Sequence, residues 1–140
     1  MAGYSATPLP QKLGIKPDSS VALVGAPSKF PIRASGKAPF DVMVVFVTVR
    51  AQLADKIDAA RARLAEAGGL WIAWPKKLSG VASDMTEQAI RDVALPTGLV
   101  DNKVCAIDET WSGLRLVIRR ELRAKPPKTP RRASARSAGQ

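Results

Sequence analysis

The feature that most constrains the fold is an apolar run, a helical pattern and a second apolar run that follow one another with almost no linker. Residues 42–49 are nearly all β-branched or aromatic, which suits a central parallel strand buried on both faces. Over residues 51–67 apolar side chains recur at helical spacing, and Gly68-Gly69 is predicted to end this helix before a strand at residues 70–74. The order strand, helix, strand predicts a right-handed βαβ unit and therefore a mostly parallel sheet.

The residues before this unit predict a helix, a strand and a long loop. A short helix between Thr7 and Gly14 is expected to pack on the sheet edge, because Thr7 can cap it and Gly14 can supply a left-handed exit. An apolar run at Val21–Val24 has the length of a core strand. Residues 28–40 show no clear period, so they predict a loop with room for one degenerate strand near Ile32.

The second half of the chain predicts one more helix and a hairpin. Asp84 and Glu87 are spaced as a capping pair for a helix over residues 85–94. Two final strands, at residues 103–107 and 114–119, have so short a connection that an antiparallel hairpin is favoured. The pattern predicts one domain over residues 1–123. Its expected fold is a small α/β, Rossmann-like three-layer sandwich whose mostly parallel sheet ends in an antiparallel hairpin.

The residue types present exclude several kinds of active site. The chain has no His and one Cys, so it has no serine-type triad, no cysteine–histidine pair and no zinc cluster, and we expect no metal. Cys105 lies in an apolar stretch, which favours a small buried side chain over a nucleophile. The apolar runs are far shorter than the ~20 residues of a membrane helix, and no signal-peptide pattern opens the chain. We expect a soluble, cytoplasmic protein without membrane contact.

Positive charge is concentrated towards the C-terminus. The chain's net charge is +10, and residues 119–140 supply seven of those charges with eight basic residues and one acid. Residues 124–140 have almost nothing to bury and are expected to form a disordered basic tail. The tail is either a solubilising extension or, with residues 119–123, an arm that contacts nucleic acid non-specifically and with strong salt dependence. Its lack of aromatic residues favours the extension.

Three segments are predicted to meet where a ligand would bind. In an open parallel sheet, ligands bind beyond the carboxyl ends of the strands. The residues at or just beyond the carboxyl ends of the three predicted parallel strands are therefore the candidate binding residues: Gly25, Ala26, Thr48, Trp74, Lys76, Lys77 and Ser79. Two adjacent lysines before a helix start favour a carboxylate or phosphate. The alternative is a solvated loop in which Pro75 is a rigid strand exit, with Asp84 a helix cap rather than a base.

A second, weaker cluster lies in the predicted hairpin. Asp108 and Glu109 are neighbouring carboxylates, and Trp111 follows them. Sequence neighbours in a hairpin need not point at one substrate, and a hard cation requires more oxygen ligands than these two supply. We favour a turn in which Asp108 binds its own backbone and Trp111 covers the sheet. Trp71 and Trp74 are three apart in a strand and are expected to face opposite sides.

Spaced blocks of the sequence resemble a known family over about residues 4 to 119. The blocks are residues 7–9 with 12–15, then 21–25, 41–46, 69–76, 98–100 and 111–117. They are similar to an uncharacterised bacterial family known as a domain of unknown function, number three-zero-five-two. The resemblance implies kinship and brings no activity with it.

The order of elements also resembles, more distantly, the class I fold of S-adenosylmethionine-dependent methyltransferases. That resemblance would imply a Gly-x-Gly turn after the first strand, but the residues here are Gly25-Ala26-Pro27. It would also imply an acidic residue to hold the ribose, yet no Asp or Glu occurs between Val24 and Asp41. Topology alone does not license chemistry. Both departures count against S-adenosylmethionine as a cofactor.

These observations lead to one functional hypothesis and two rivals. The first is a non-enzymatic or degenerate methyltransferase-like module that binds an anionic small ligand or a protein partner. A rival is a methyltransferase with an atypical cofactor loop, and another is a nucleic-acid accessory factor that acts through its basic tail.

Overall fold

The computed structural model describes residues 7–123. Within them the strands are β1 (Val21–Val24), β2 (Phe40–Phe46), β3 (Leu64–Pro75), β4 (Leu99–Ala106) and β5 (Trp111–Ile118). The α-helices are α1 (Leu9–Leu13), α2 (Leu53–Arg61) and α3 (Glu87–Ala94). None of these helices is long and apolar enough to cross a membrane. The predicted tail at residues 124–140 lies outside the described residues, so its disorder stays a prediction.

The strands form one sheet in the order β1-β2-β3-β5-β4. Strands β1, β2 and β3 pair in parallel, whereas β5 is antiparallel to both β3 and β4. Strand β4 therefore runs in the same direction as β1 to β3, and β5 fills the gap that the crossover through α3 leaves beside β3. The predicted α/β, Rossmann-like architecture with a closing hairpin is confirmed.

Strand β2 divides the core into two layers. Met43 and Val45 face a cluster built from α2, α3 and the sheet, which we call the helical face. Val42 and Val44 face a second cluster that contains Leu13 of α1 and part of the β1–β2 connection, which we call the α1 face. Because both faces of β2 are covered, its nearly continuous apolar sequence follows directly.

Helix α1 lies over the centre of the sheet. The sequence predicts it on the sheet edge, and that prediction is wrong. Leu13 is 1% exposed, and Trp71 Nε1 in the middle strand β3 donates a hydrogen bond to its carbonyl oxygen at 3.1 Å. The N-cap is Pro8 rather than Thr7. Gly14 ends the helix with a φ of 81°, as predicted. Docking on Trp71 helps to hold so short a helix.

The β1–β2 connection covers the free edge of β1. Ser35 and Val21 exchange two backbone hydrogen bonds, of 2.7 and 2.9 Å, in an isolated antiparallel bridge. The degenerate strand expected near Ile32 is thus a single bridge three residues later, and Ile32 itself packs against the α1 face. An edge strand covered in this way offers fewer open backbone groups to another chain.

The joint between α2 and β3 differs most from the sequence prediction. Helix α2 ends at Arg61, and Leu64 already pairs with Phe40 in the sheet, so Gly68-Gly69 lies inside β3 and ends no helix. A Cβ on Gly68 would lie 2.8 Å from the Phe40 carbonyl oxygen, at a register shift between β2 and β3. The glycine is needed because two backbones approach closely at this irregularity.

The C-terminal half follows the predicted order, with α3 beginning two residues later than expected and both strands beginning earlier. Thr86, and not Asp84, caps α3: its Oγ1 accepts the N–H of Ala89 at 3.0 Å. Strands β4 and β5 begin at Leu99 and Trp111, and their antiparallel pairing confirms the hairpin. An arginine on α3, Arg91, binds Asp101 of β4 at 2.9 Å, which fixes the helix against the hairpin.

Candidate functional site

The residues that follow β1, β2 and β3 lie at one edge of the sheet. The ladder pairs Val24 with Val45 and Phe46 with Ala73, so the three strands end in step. A Cβ on Gly25 would lie 3.3 Å from the carbonyl oxygen of Phe46. We call this the carboxyl edge. It brings together the segments that contain Gly25, Thr48 and Lys76.

A cavity of about 480 Å³ lies at this edge, in the segment that follows β3. We call residues 76–86 the lysine loop. The cavity is lined by Lys76 and Lys77 at one end of the loop and by Asp84 and Thr86 at the other. Of the residues predicted to bind a ligand, Lys76 and Lys77 line it, whereas Gly25, Ala26, Thr48, Trp74 and Ser79 do not.

The far end of the lysine loop is tied to the end of β2. The Ser83 hydroxyl donates a hydrogen bond to the carbonyl oxygen of Thr48 at 2.8 Å and accepts the N–H of Met85 at 3.0 Å. Next to it, the backbone N–H of Arg50 donates to Asp84 Oδ1 at 2.7 Å. Thr48 therefore contributes to the site through its backbone.

The near end of the loop is tied to the hairpin and closed by a turn. The Lys76 N–H donates to the carbonyl oxygen of Thr110 at 2.8 Å. Ser79 is a turn residue, since its Oγ accepts the N–H of Val81 at 3.2 Å and Gly80 follows it with a φ of 84°. The loop is thus attached at both ends, and its two lysines occupy a defined place.

The lining carries two cations and one anion. Lys77 is exposed and Lys76 is partly exposed, and both residues line the cavity. Beside them lies the first turn of α3, whose free N–H groups favour negative charge. Asp84 also lines the cavity. The sequence predicts it as a helix cap, and an aspartate at this position does not by itself indicate a place in a binding site. Ammonium and N–H donors can bind a carboxylate or phosphate, and Asp84 Oδ2 can accept from a ligand hydroxyl or amine.

Trp74 and Ala26 support the edge from inside. Trp74 is partly buried and packs against the helical face, while Trp71 is fully buried on the α1 face, so the two face opposite sides as predicted. Ala26 packs against the α1 face. Neither side chain is placed to contact a ligand in the cavity.

The loop after β1 folds back onto the sheet. Phe30 donates its N–H to the carbonyl oxygen of Pro27 at 3.0 Å, and its ring meets Phe46 edge to face at 5.0 Å. The connection that leaves β1 therefore covers the α1 face, while α2, which leaves β2, covers the helical face. In open α/β sheets the ligand crevice lies where successive connections part in this way. The lysine-loop cavity is one strand further along, beyond β3.

The second predicted cluster is a turn. Asp108 Oδ1 accepts the N–H groups of Thr110 and Trp111, each at 2.8 Å. The Trp111 ring lies edge to face on Phe46 at 5.0 Å, and Glu109 is exposed. These positions match the structural role expected for Asp108 and Trp111. Within residues 7–123, no three His, Cys, Asp or Glu side chains come together in a way that could hold a metal ion.

Cys105 has the character of a packing residue. It is partly buried against the α1 face, and this burial raises the pKa of its thiol, although Lys12 and Lys103 act in the opposite direction. A raised thiol pKa leaves little thiolate at neutral pH, which agrees with the role predicted from the sequence.

Two solved structures share part of the fold. One is the ribosomal protein L11 methylase from Lactobacillus delbrueckii subsp. bulgaricus, at 16% identity and a TM-score of 0.42, which covers 57% of this chain and 37% of that protein. The other is LepI in complex with SAM, at 10% identity and a TM-score of 0.44, which covers 79% of this chain and 39% of that protein. The chain thus spans under two-fifths of the length of either protein.

The sequence comparisons place the chain in a family. No curated protein matches it. A family profile described as "Protein of unknown function (DUF3052)" matches residues 37–120, which contain β2 to β5, the lysine loop and both longer helices. The blocks quoted for the resemblance before residue 37 lie outside this match. The chain therefore belongs to the family described as Protein of unknown function (DUF3052).

Proposed function

We propose that this chain binds a small anionic molecule in the lysine-loop cavity and catalyses no reaction on it. The observation that carries the proposal is the approach of Lys76, Lys77 and Thr86, the N-cap of α3, to one cavity of about 480 Å³. Cavities of some 300 Å³ or more accommodate small-molecule ligands. Two ammonium groups and a helix amino end together favour a carboxylate or a phosphate.

Asp84 narrows the class of ligand. Its carboxylate lies in the same lining as the two lysines, so a compact anion of high charge would meet repulsion on one side. A ligand that has an anionic group at one end and a hydroxyl or amine donor at the other end would match all three side chains. Phosphorylated metabolites with free hydroxyls and amino acids are of this kind.

A protein partner is the second candidate, and exposed apolar side chains beside the cavity favour it. Leu78 is 100% exposed and Val81 is 41% exposed, both within the lysine loop, and Val49, just after β2, is 43% exposed. A partner with an acidic side chain for the cavity and an apolar neighbour for Leu78 would use both features.

An S-adenosylmethionine-dependent reaction has less support. The turn after β1 contains Pro27 where a permissive glycine would be needed, and the residues up to Asp41 contain no carboxylate for a ribose. Phe30 also packs over the adjoining face. The same features underlie the proposal of a module that has lost, or never had, this cofactor.

Thermal unfolding of the full chain with a panel of ligands tests the proposal. The panel contains pyrophosphate, AMP, serine, citrate and S-adenosylmethionine, each at millimolar concentration. A ligand at about 100 times its Kd stabilises the folded state by about 2.7 kcal/mol, which raises the Tm by several degrees.

Two variants make the test specific. The double variant Lys76→Ala, Lys77→Ala is expected to lose the shift, and the control Lys37→Ala, an exposed lysine outside the cavity, is expected to keep it. A panel in which no anion raises the Tm, or one in which the double variant responds like the unchanged protein, would refute a small-ligand site. A response to S-adenosylmethionine alone would favour the methyltransferase.

A further inference from the structure

Arginines gather at the end of the sheet opposite the cavity. Two segments, residues 61–66 and residues 115–123, carry six of them: Arg61, Arg63, Arg115, Arg119, Arg120 and Arg123. We call this set the arginine rim. The first segment leads from α2 into β3, and the second spans the end of β5 and the residues after it. The same segments contain two carboxylates, Glu66 and Glu121, so positive charge dominates.

Residues of both segments come close to Gly98. The N–H of Arg119 donates to the carbonyl oxygen of Gly98 at 2.9 Å. A Cβ on Gly98 would lie 3.3 Å from Arg61 Nη2 and 2.5 Å from Leu122 Cδ1. Arg61 and the residues after β5 are therefore neighbours in space, although more than fifty positions separate them in sequence.

Two of these arginines lie in positions that destabilise the folded state. The Nε of Arg61 is buried and has no hydrogen-bond partner among the described residues. Arg115 is partly buried over Gly69, where a Cβ would lie 2.7 Å from its Cζ, and burial together with the charge of Arg123 lowers the pKa of its guanidinium. A buried donor without an acceptor and two neighbouring guanidinium groups both destabilise the folded state.

Two of the other arginines, Arg119 and Arg123, are oriented by hydrogen bonds to backbone carbonyl oxygens. Arg123 Nε donates to the carbonyl oxygen of Ile118 at 2.9 Å, and Arg119 Nη2 donates to that of Leu95 at 3.3 Å. These bonds leave the other guanidinium N–H groups available for an acceptor. Planar guanidinium forks suit phosphate oxygens, which accept two parallel hydrogen bonds.

We propose that the arginine rim is a binding surface for the phosphate backbone of nucleic acid. The rim is continuous in sequence with residues 124–140, which add five basic residues and no acid. A backbone with regularly spaced phosphates can engage several guanidinium groups of the rim at once, whereas a single small anion can engage one part of it. Phosphate contacts supply affinity without reading sequence, and the rim has no exposed aromatic side chain on which a base could stack.

The test uses the full chain and a fluorescently labelled 20-base-pair DNA duplex of mixed sequence, with anisotropy measured between 50 and 200 mM salt. The rim variant Arg115→Gln, Arg123→Gln is expected to bind about tenfold more weakly. The slope of log affinity against log salt is expected to be smaller by about 2, because two phosphate contacts are lost. The matched control Lys29→Gln, Arg33→Gln removes the same charge from two exposed residues of the β1–β2 connection, outside the rim and the cavity. It is expected to bind DNA like the unchanged protein.

Three results would overturn the proposal. The rim variant could bind as the unchanged protein does. The control could lose as much affinity as the rim variant, which would make the effect one of net charge. A third variant has the five basic residues of 124–140 changed to Gln in the full chain. Adding the Arg115→Gln and Arg123→Gln changes to this variant could leave its DNA affinity unchanged.

Two further readouts separate a binding role from a structural one. Because the repulsion between Arg115 and Arg123 is offset by the Arg123–Ile118 hydrogen bond, the rim variant is expected to have a Tm close to that of the unchanged protein without DNA, and to gain less stability when DNA is added. Binding to phosphatidylserine vesicles that depends on the rim more strongly than DNA binding does would reject nucleic acid in favour of a membrane surface.

Discussion

The backbone N–H of Arg50, just after β2, donates a 2.7 Å hydrogen bond to Asp84 Oδ1 in the lysine loop. Thirty-four positions separate the two residues, and the bond joins the ends of two elements that define the cavity. Asp84 is thereby a structural anchor of the cavity as well as part of its lining. Its replacement separates these two roles.

Asp84→Ala removes the anchor, and Asp84→Asn keeps an acceptor while removing the charge. We expect the alanine variant to lose about 1 kcal/mol of stability, a typical value for a lost hydrogen bond, and the asparagine variant to lose less. Urea unfolding monitored by tryptophan fluorescence measures both. Asp18→Ala, at an exposed turn, is the control. Equal stability of all three variants would show that the bond does not hold the loop.

The same pair predicts a change in ligand affinity. Asp84→Asn removes the one carboxylate of the cavity lining, so it is expected to bind pyrophosphate several-fold more tightly than the unchanged protein does. For a ligand that donates a hydroxyl or amine to Asp84, the affinity is expected to fall instead. Calorimetric titration of both ligands measures the two effects. Parallel changes for both ligands would contradict the assignment of Asp84 to the donor end.

Two neighbouring glycines are expected to respond differently to the same change. In Gly68→Ala the new Cβ would lie 2.8 Å from the Phe40 carbonyl oxygen and 3.0 Å from that of Asp41, both of them backbone atoms. In Gly69→Ala it would meet the guanidinium of Arg115, the end of a flexible side chain. We expect a loss of about 2 kcal/mol or more for Gly68→Ala and about 1 kcal/mol or less for Gly69→Ala. Urea midpoints in the reverse order would contradict this account of the α2–β3 joint.

Trp71 holds α1 on the sheet. Trp71→Phe leaves the Leu13 carbonyl oxygen without its donor and shrinks a fully buried side chain, so we expect a loss of about 2 to 3 kcal/mol. Trp74→Phe changes a partly buried side chain and is expected to cost about half as much or less. Hydrogen exchange at Ile15, whose N–H is bonded to Pro10, reports whether α1 opens. Unchanged protection in Trp71→Phe would show that α1 is held by other contacts.

The ion pair between Asp101 and Arg91 makes stability depend on pH. The hydrogen bond from Arg91 holds the pKa of Asp101 below its ordinary value of 3.8. A carboxyl pKa that is lower in the folded state stabilises the fold at pH values above the ordinary pKa. This stabilisation is lost as the pH falls through the pKa of the folded state. Asp101→Asn is expected to be less stable than the unchanged protein at pH 7 and to approach it as the solution is acidified below pH 3.8. A difference that stays constant with pH would contradict this origin.

The sequence predicted those parts of the fold that depend on local periodicity. The apolar run of β2 and the stripe of Leu53, Ile57, Ala60 and Leu64 are local patterns. The structure confirms the strand, and it confirms the helix for the first three residues of the stripe, whereas Leu64 belongs to β3. Gly68-Gly69 looked like a helix end because its real determinants, Phe40 and Arg115, are distant in sequence. No window of local sequence contains those contacts.

The candidate site shows the same division. The rule that ligands bind beyond the carboxyl ends of parallel strands led to Lys76 and Lys77, which line the cavity. The sequence predicts Asp84 as a helix cap. Its actual partner, Arg50, lies on another element, so no local pattern reveals it. Thr86, two residues later, is an equally good N-cap residue type, and recognising it would have freed Asp84 for another role. The arginine rim could not be predicted, since Arg61 and Arg119 are far apart in sequence and come near each other only beside Gly98.

The most direct test of the central claim is a two-dimensional ¹⁵N NMR titration of the full chain with the ligand that raises the Tm most. We predict that chemical-shift changes concentrate on the N–H groups of Lys77, Asp84, Glu87 and Gln88, with saturation at one ligand per chain. Changes confined to the turn after Gly25, or changes at the arginine rim without any in the lysine loop, would contradict the claim that this cavity is the binding site.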